Sequence, residues 1–344
     1  MRILWVSARN ISNDLCRTTQ ITLANKLTEL GHELSLASPG VAENSMKFNH
    51  INLKQGSIRG FQSFSCARAA RRLNVDHDLI MIDWRLALIL KKWLNQTGIP
   101  WYLVDRGPPA DRGILSSLQW IFWKRAWKMA KRGMVVSNGH LTFVKKKTKT
   151  IAMIDVISAG VDSELFRPSK VVKERVKFIY IGKLDRNRMV EMLPTLINSK
   201  GYCLTMIGSG DVYNKLNKKW GNVPGIEIIG QVEQGKIPDY LANADIGLLP
   251  MPDKQIWRIA SPLKLAEYAA SGLIVAGVKH AGNNVSFDSN WLFLNENIER
   301  AIDEAVEHVN DESIRKEARI AAIEKLDWKF SIYVLNEALM ELVS

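Results

Sequence analysis

The chain has 344 residues, of which 47% are hydrophobic and 24% are charged, a composition that suits a soluble protein with two hydrophobic cores. Its longest apolar runs have about eight residues, which excludes a membrane-spanning helix of about 18 residues. Cys16, Cys66 and Cys203 are too few and too widely spaced for a disulfide framework or a cysteine metal site. We therefore expect a protein of the reducing cytoplasm.

The basic character of the chain is confined to its N-terminal half. Residues 1–170 contain 26 Lys and Arg against 12 Asp and Glu, a net charge of +14, whereas the remaining residues contain 21 against 23, a net charge of −2. A half-chain with its own charge suggests a partner of its own, such as an anionic surface.

In the N-terminal half, short apolar runs alternate with helical patterns. The opening RILWVS predicts a first strand rather than a signal peptide, and an amphipathic helix that follows it ends at Gly31. The alternation predicts an α/β domain with a doubly wound parallel sheet. Its further predicted strands are ELSLAS (Glu33–Ser38), DLIMID (Asp78–Asp83), WYLVD (Trp101–Asp105) and GMVVS (Gly133–Ser137).

The stretch ILSSLQWIFWKRAWKMAKR (Ile114–Arg132) is patterned as a helix. At about 100° per residue its cations fall in an arc of about 120°, with tryptophans along one edge of the arc. Cations flanked by Trp suit the interface of an anionic membrane; the alternative is a core helix with a solvated charged face. A nucleic-acid partner is disfavoured because no nucleic-acid module is present. The residues of this predicted membrane or acceptor face are Trp120, Trp123, Lys124, Arg125, Trp127, Lys128, Lys131 and Arg132.

The polar stretch FRPSKVVKERVK divides two periodic regions and predicts a domain boundary. We assign residues 1–167 to an N-terminal domain, 168–326 to a C-terminal domain and 327–344 to a final helix whose apolar face must pack on another element. The second domain also alternates strands and helices, which predicts a second doubly wound sheet. Its predicted strands are KFIYIG, CLTMIG, IEIIG, DIGLLP and LIVAGV.

Just before the last of these strands, SPLKLAEYAASG has residues at both ends that are typical of the start and the end of a short helix. Ser261 suits the N-cap, Pro262 suits the first helical position, and Gly272 suits a left-handed stop. Lys264 and Glu267 then lie one turn apart, near the end of the sheet where ligands bind. A cation for phosphate beside a carboxylate for sugar hydroxyls fits a nucleotide; the alternative is an ordinary surface ion pair.

Four phrases in order resemble the GT-B glycosyltransferases of glycosyltransferase family 4. They are ISAGVDSELFRP, YIGKLDRNR, DYLANADIGLLP and SPLKLAEYAASG, the last being similar to the Ser-Pro-Leu-Lys variant of the family's Glu-x7-Glu motif. The resemblance implies two Rossmann-like domains facing a cleft, the N-terminal one for the acceptor and the C-terminal one for the sugar nucleotide. It also implies a final helix that crosses back to the N-terminal domain, transfer with retention of configuration, and no metal or other cofactor.

The resemblance also implies roles for individual residues. Lys183 and Arg188 would neutralise the leaving diphosphate, and Glu267 would hold the ribose. The family's first motif Glu falls at Ile259, so contact with the donor sugar is expected from the Ser261 turn instead. The complete donor set is Gly182, Lys183, Arg188, Gly208, Ser261, Pro262, Leu263, Lys264 and Glu267.

Two departures from the family lie in the N-terminal half. The family often has a His close to the end of the strand that corresponds to WYLVD. Asp105 and Arg106 stand there instead, and either is a candidate catalytic residue together with Lys183 and Arg188. The Gly-Gly loop after the first strand is replaced by SARNISND, in which Asn10, Ser12 and Asn13 are candidate hydrogen-bonding residues.

The sequence therefore predicts a metal-independent, retaining glycosyltransferase of the hexosyltransferase type. Its expected donor is a nucleotide-diphospho-sugar, and its expected acceptor is a lipid-linked or membrane-borne glycan at the cytoplasmic face of an anionic membrane. Two alternatives stay open. One is an inactive GT-B-fold partner subunit, which the missing first motif Glu and the missing Gly-Gly loop favour. The other is a GT-B-fold sugar-nucleotide epimerase, which needs no acceptor. The nucleotide base, the sugar and the linkage depend on a few pocket side chains and are not specified.

Overall fold

The computed structural model of the chain describes residues 1–14, 16–43, 45–56, 61–109, 114–168, 175–261 and 263–344. They form two compact units. Unit 1 comprises Met1–Ser158 together with Ser331–Ser344, and unit 2 comprises Ala159–Phe330. No helix in this described part of the chain combines the length and the hydropathy that crossing a bilayer requires.

Unit 1 is built on a seven-stranded parallel sheet with the order β3-β2-β1-β4-β5-β6-β7. The strands are β1 Arg2–Val6, β2 Glu33–Ser38, β3 Asn49–Asn52, β4 Leu79–Asp83, β5 Trp101–Val104, β6 Arg132–Val135 and β7 Met153–Val156. The chain winds outward from β1 in one direction and then resumes at β4 in the other. The carboxyl ends of β1 and β4 therefore flank the switch point, where sheets of this kind bind ligands.

The helices described in unit 1 cover the faces of this sheet. They are α1 Arg17–Glu29, α2 Gln62–Ala70, α3 Trp84–Ala87, α4 Lys91–Thr97, α5 Ile114–Met129 and α6 Asn138–Thr148. Helix α5 packs on α3 and α6 because its buried stripe, which includes Trp123, Ala126 and Trp127, follows the helical period. This core fixes the loops that follow β4 and β5.

Unit 2 has a six-stranded parallel sheet with the order β10-β9-β8-β11-β12-β13. Its switch point lies between β8 and β11. The strands are β8 Lys177–Ile181, β9 Cys203–Ile207, β10 Ile226–Ile229, β11 Ile246–Leu249, β12 Ile274–Val278 and β13 Leu292–Asn295. The helices are α7 Leu193–Ser199, α8 Tyr213–Trp220, α9 Ile237–Ala242, α10 Gln255–Arg258, α11 Leu263–Ala270, α12 Ile298–Glu307 and α13 Glu312–Lys325.

The last helix, α14 (Trp328–Val343), starts in unit 2 and continues in unit 1 from Ser331 onward. Within unit 1, the His32 ring Nε2 lies 2.7 Å from the Asn336 Oδ1 atom. Arg132 donates to Glu341 over 2.5 Å. These contacts attach the second half of α14 to β6 and to the residue that precedes β2.

The boundary between the units falls after Ser158 rather than after residue 167, where the sequence placed it. The reason is the packing of the intervening segment, which belongs to unit 2. Val161 forms a parallel bridge with Asp327, and Phe166 is buried in the core of unit 2. The polar stretch that suggested the boundary begins at Phe166 and therefore starts inside unit 2.

Candidate functional site

Two glycines make the carboxyl ends of β8 and β9 meet closely in unit 2. Gly182 and Gly208 have φ angles of 156° and 146°, in the range that favours glycine. A Cβ atom on Gly208 would lie 1.8 Å from the carbonyl oxygen of Gly182. Of the glycines in the predicted donor set, Gly208 is therefore required by close backbone packing, whereas Gly182 is favoured by its φ angle.

Lys183 follows Gly182 directly at this edge. Its Nζ atom donates a hydrogen bond to the Ser209 hydroxyl over 3.3 Å, which places side chains from the β8 and β9 loops side by side. Among the residues that the structure describes, no carboxylate forms an ion pair with Lys183. These residues therefore leave the positive charge of Lys183 without a neutralising partner.

Arg188 lies in a short 3-10 turn (Arg186–Arg188) after β8. Its guanidinium carbon lies 4.7 Å from the ring centroid of Trp257, as in a cation–π contact. Its Nε atom is buried and has no hydrogen-bond partner in the described residues. A buried, unpaired N–H is costly unless a ligand satisfies it.

Helix α11 carries the predicted carboxylate. Glu267 is 2% exposed, and its Oε2 atom accepts a hydrogen bond from Lys264 Nζ over 2.5 Å. The next residue, Tyr268, accepts a hydrogen bond from the backbone N–H of Ile181 over 3.1 Å. Glu267 is therefore on a helix that packs against Ile181, the last residue of β8. Lys183 follows Ile181 by two residues.

The Ser261 side chain, which was predicted to cap the N-terminus of α11, has a partner outside that helix. The Ser261 hydroxyl accepts a hydrogen bond from the backbone N–H of Ala159 over 2.9 Å. Pro262 lies outside the described residues, and Leu263 is the first residue of α11. Ile259, at the position of the family's first motif Glu, is a buried apolar residue. A role for Ser261 toward a sugar stays a prediction.

A cavity of about 570 Å³ opens at the carboxyl ends of β11, β12 and β13. Its lining includes Met189, which directly follows Arg188, and the polar residues Asp253, Lys279 and Glu296. Arg258 holds the pKa of the Asp253 carboxyl below its ordinary value. None of the predicted donor residues lines the cavity, so it borders the site rather than forming it.

In unit 1, the Asp105 carboxylate at the end of β5 is fully buried. Its Oδ2 atom accepts hydrogen bonds from the indole N–H groups of Trp123 over 2.6 Å and Trp127 over 2.7 Å, and its Oδ1 atom accepts one from the backbone of Gly107. His140 Nε2 lies 3.4 Å away. Burial acts to raise the pKa of Asp105, but His140 and the indole donors outweigh it, so the pKa is lowered.

These contacts correct two predictions. Asp105 was expected to touch substrate, but its oxygens are occupied and enclosed, so it fixes the loop after β5 instead. Trp123 and Trp127 were expected on a membrane face, but they are completely buried because their N–H groups satisfy this carboxylate. A buried acceptor on a neighbouring strand cannot be read from helical periodicity.

The other residues of the predicted membrane face divide into two groups. Trp120 is half-buried and packs edge-on against Trp123, with ring centroids 5.4 Å apart. Arg132 is part of β6 and pairs with Asp155 over 2.9 Å, so it too is wrongly assigned to that face. The residues that are exposed as predicted are Lys124, Arg125, Lys128 and Lys131.

Arg106 stays a candidate at the same edge of unit 1. Its Nε and Nη1 atoms are buried without a hydrogen-bond partner among the described residues. Its pKa is lowered mainly by burial, with Arg9 contributing positive charge and Cys16 opposing the shift. The sequence analysis missed Arg9, a buried arginine after β1. No sequence pattern indicated its burial, because its partner Asp83 is distant in the sequence. Arg9 pairs with Asp14 over 3.2 Å and with Asp83 over 3.4 Å.

The loop after β1 uses most of its polar side chains internally. Asn10 Oδ1 accepts a hydrogen bond from the backbone N–H of Ser12 over 2.8 Å, and Ser12 Oγ accepts one from the backbone N–H of Val41 over 3.0 Å. Asn13 is exposed. Asn10 and Ser12 therefore shape the loop through these hydrogen bonds, although Ser12, like Asn13, is exposed. Across the described residues, no group of three or more His, Cys, Asp or Glu side chains could hold a metal.

Residues 175–311, which include Lys183, Arg188 and Glu267, match the family model described as glycosyl transferases group 1. No curated protein matches the chain. Several solved structures do. Sucrose-phosphate synthase from Thermosynechococcus elongatus covers 99% of this chain and 98% of its own, with a TM-score of 0.80 and 14% identity.

Two other solved structures are similar over a comparable length. HepE from Anabaena in complex with UDP-glucose covers 99% of this chain and 100% of its own, with a TM-score of 0.74 and 12% identity. WaaG, a glycosyltransferase involved in lipopolysaccharide biosynthesis, covers 97% and 99%, with a TM-score of 0.71 and 12% identity. The two Rossmann-like units therefore constitute a GT-B fold, and the predicted fold class is confirmed.

Proposed function

We propose that the chain is a glycosyltransferase that uses a nucleotide-diphospho-sugar as its donor. One observation carries the proposal: at the ligand-binding edge of unit 2, Lys183 and Arg188 have no carboxylate partner among the described residues, while the helix of Glu267 packs against the same strand end. The segment that holds all three residues matches the glycosyl transferases group 1 model.

The chemistry of transfer accounts for this arrangement. When the glycosidic bond of the donor breaks, negative charge grows on the diphosphate and must be stabilised in the transition state. Lys183 and Arg188 supply fixed positive charge for that step, and the buried Arg188 Nε gains a hydrogen-bond acceptor. Glu267 accepts hydrogen bonds from the ribose hydroxyls, and Lys264 holds its carboxylate in place. No metal is needed, because these two cations carry the neutralisation.

Transfer of a hexosyl group with retention of configuration follows from the resemblance to family 4 glycosyltransferases. For the acceptor, we propose a lipid-linked or membrane-borne glycan at the cytoplasmic face of a membrane. The exposed cations of α5, Lys124, Arg125, Lys128 and Lys131, support this part of the proposal because they favour an anionic surface.

The test is titration calorimetry of UDP, GDP and ADP against the wild type and Glu267→Gln, in buffer with EDTA. We expect saturable binding of one nucleotide that weakens at least about tenfold, or about 1.4 kcal/mol, in the variant. Glu312→Gln is the matched control, because Glu312 is an exposed carboxylate at the start of α13. Absence of binding by all three nucleotides would overturn the donor site and favour the inactive partner subunit.

A further inference from the structure

An apolar cluster is exposed on unit 1 where the beginnings of α2 and α5 meet. Phe61, Phe64, Leu118 and Ile121, which we call the α2–α5 patch, are 58%, 47%, 51% and 45% exposed. The Phe64 ring meets the Phe122 ring edge-on with centroids 6.2 Å apart, so the two helices present one continuous surface. Single exposed apolar residues are common, but a contiguous patch marks an interaction site.

Exposed cations border the patch on both helices. On α5, Arg125 and Lys128 follow Ile121 by four and seven residues and therefore continue the same helical face. On the α2 side, Arg68, Arg71 and Arg72 are exposed. Residues 61–75 and 114–154 contain no Asp or Glu, so no carboxylate from either segment offsets this charge.

We propose that the α2–α5 patch and its bordering cations dock unit 1 on an anionic lipid bilayer. The four apolar side chains enter the boundary between head groups and acyl chains, while the arginines and lysines lie level with the lipid phosphates. The long stems of these cations also cover apolar surface. This inference rests on the proposed function and deepens it, because it specifies where the enzyme contacts the membrane that carries its acceptor.

The charge of the surface selects a lipid bilayer over a second copy of the chain. A symmetric dimer through this patch would place Arg125 and Lys128 of one copy near the same residues of the other. Like charges in such an interface oppose association. An anionic bilayer instead offers negative charge beside an apolar interior, which complements both components of the surface.

The experiment is flotation of the full chain with vesicles of phosphatidylcholine alone and vesicles that contain about a quarter phosphatidylglycerol. The patch variant is Phe61→Ser/Phe64→Ser/Ile121→Ser, and the charge variant is Arg125→Gln/Lys128→Gln. The control is Leu30→Ser/Ile320→Ser, which removes two equally exposed apolar side chains (53% and 51%), one directly after α1 and one in α13. We expect affinity for anionic vesicles to fall at least about tenfold in the patch variant and to be unchanged in the control.

The charge variant should lose affinity for the anionic vesicles only, and added salt should weaken wild-type binding. Wild-type affinity in the patch variant, or equal wild-type binding to both kinds of vesicle, would overturn the proposal. A concentration-dependent dimer that only the patch variant loses would replace the bilayer with a second copy. Nucleotide titration of each variant separates the two hypotheses: a chain that binds nucleotide but no vesicle refutes only the docking surface.

Discussion

Charged residues lie at the carboxyl edges of both sheets. Most of those in unit 1 are paired with other side chains, whereas the two cations in unit 2 lack a carboxylate partner in the described residues. In unit 1, Arg9 pairs with Asp83, and the buried Asp105 is enclosed by its own hydrogen-bond donors. In unit 2, Lys183 and Arg188 have no carboxylate partner among the described residues. The charges named at the edge of unit 1 are satisfied within the protein, whereas the edge of unit 2 retains positive charge that an anionic ligand can neutralise.

The difference teaches that burial and charge alone do not identify a ligand site. Asp105 is the most enclosed carboxylate of the edge of unit 1, but its partners already satisfy it. Arg106 is the exception there, since two of its buried nitrogen atoms lack partners in the described residues. Among the cations of these two edges, what distinguishes a candidate binding group is an unsatisfied charge or donor at the switch point of the sheet.

Among the variants that test this difference between the two edges, Asp105→Asn should have the largest effect, which is on the free energy of unfolding. The substitution removes the charge that faces His140 and weakens acceptors for two buried indoles, so we expect the free energy of unfolding to fall by about 3 kcal/mol. Urea denaturation followed by tryptophan fluorescence measures it. The exposed Glu312→Gln should change stability by less than about 0.5 kcal/mol. If the folded Asp105 variant lost nucleotide binding, the division between structural and binding edges would be wrong.

The converse result is expected at the edge of unit 2. Lys183→Gln and Arg188→Gln should each weaken nucleotide binding about tenfold, or about 1.4 kcal/mol, because each removes positive charge from the proposed diphosphate site. The free energy of unfolding should fall by less than about 1 kcal/mol, because no ion pair in the described structure is broken and only a long hydrogen bond of Lys183 or the cation–π contact of Arg188 is lost. Lys215→Gln, which removes an exposed lysine paired with Glu191, is the control for both measurements. A large loss of stability with unchanged affinity would assign these cations to the fold.

The sequence predicted the central strands well and the edge strands poorly. Every strand predicted from an apolar run is present, but β3 (Asn49–Asn52), β7 (Met153–Val156) and β13 (Leu292–Asn295) were missed. All three lie at sheet edges. A central parallel strand is buried on both faces and reads as a continuous apolar run. An edge strand such as NHIN is half-exposed and lacks that pattern.

The candidate site was predictable to the extent that it depends on local order along the chain. The contact between Lys264 and Glu267 follows from helical spacing, because the two residues lie one helical turn apart. The left-handed conformation of Gly272 follows from its position at the end of the helix. The orientation of Trp123 and Trp127 did not follow, because the carboxylate that draws them inward is about twenty residues away on another element. Long-range polar pairing therefore limits what periodicity can specify.

The smallest predicted effect is the pH dependence of this buried network. The pKa of Asp105 is lower in the folded chain than in the unfolded one, so its contribution to stability is complete above the ordinary Asp value of about 3.9. That contribution is lost as pH falls through the folded pKa, because protonation then removes the charge that the indoles and His140 stabilise. The difference in unfolding free energy between wild type and Asp105→Asn should therefore be largest near neutral pH and should narrow below about pH 4. Urea denaturation of both proteins across this range measures the difference, and a constant difference would show that hydrogen-bond geometry, rather than the charge of Asp105, stabilises the edge of unit 1.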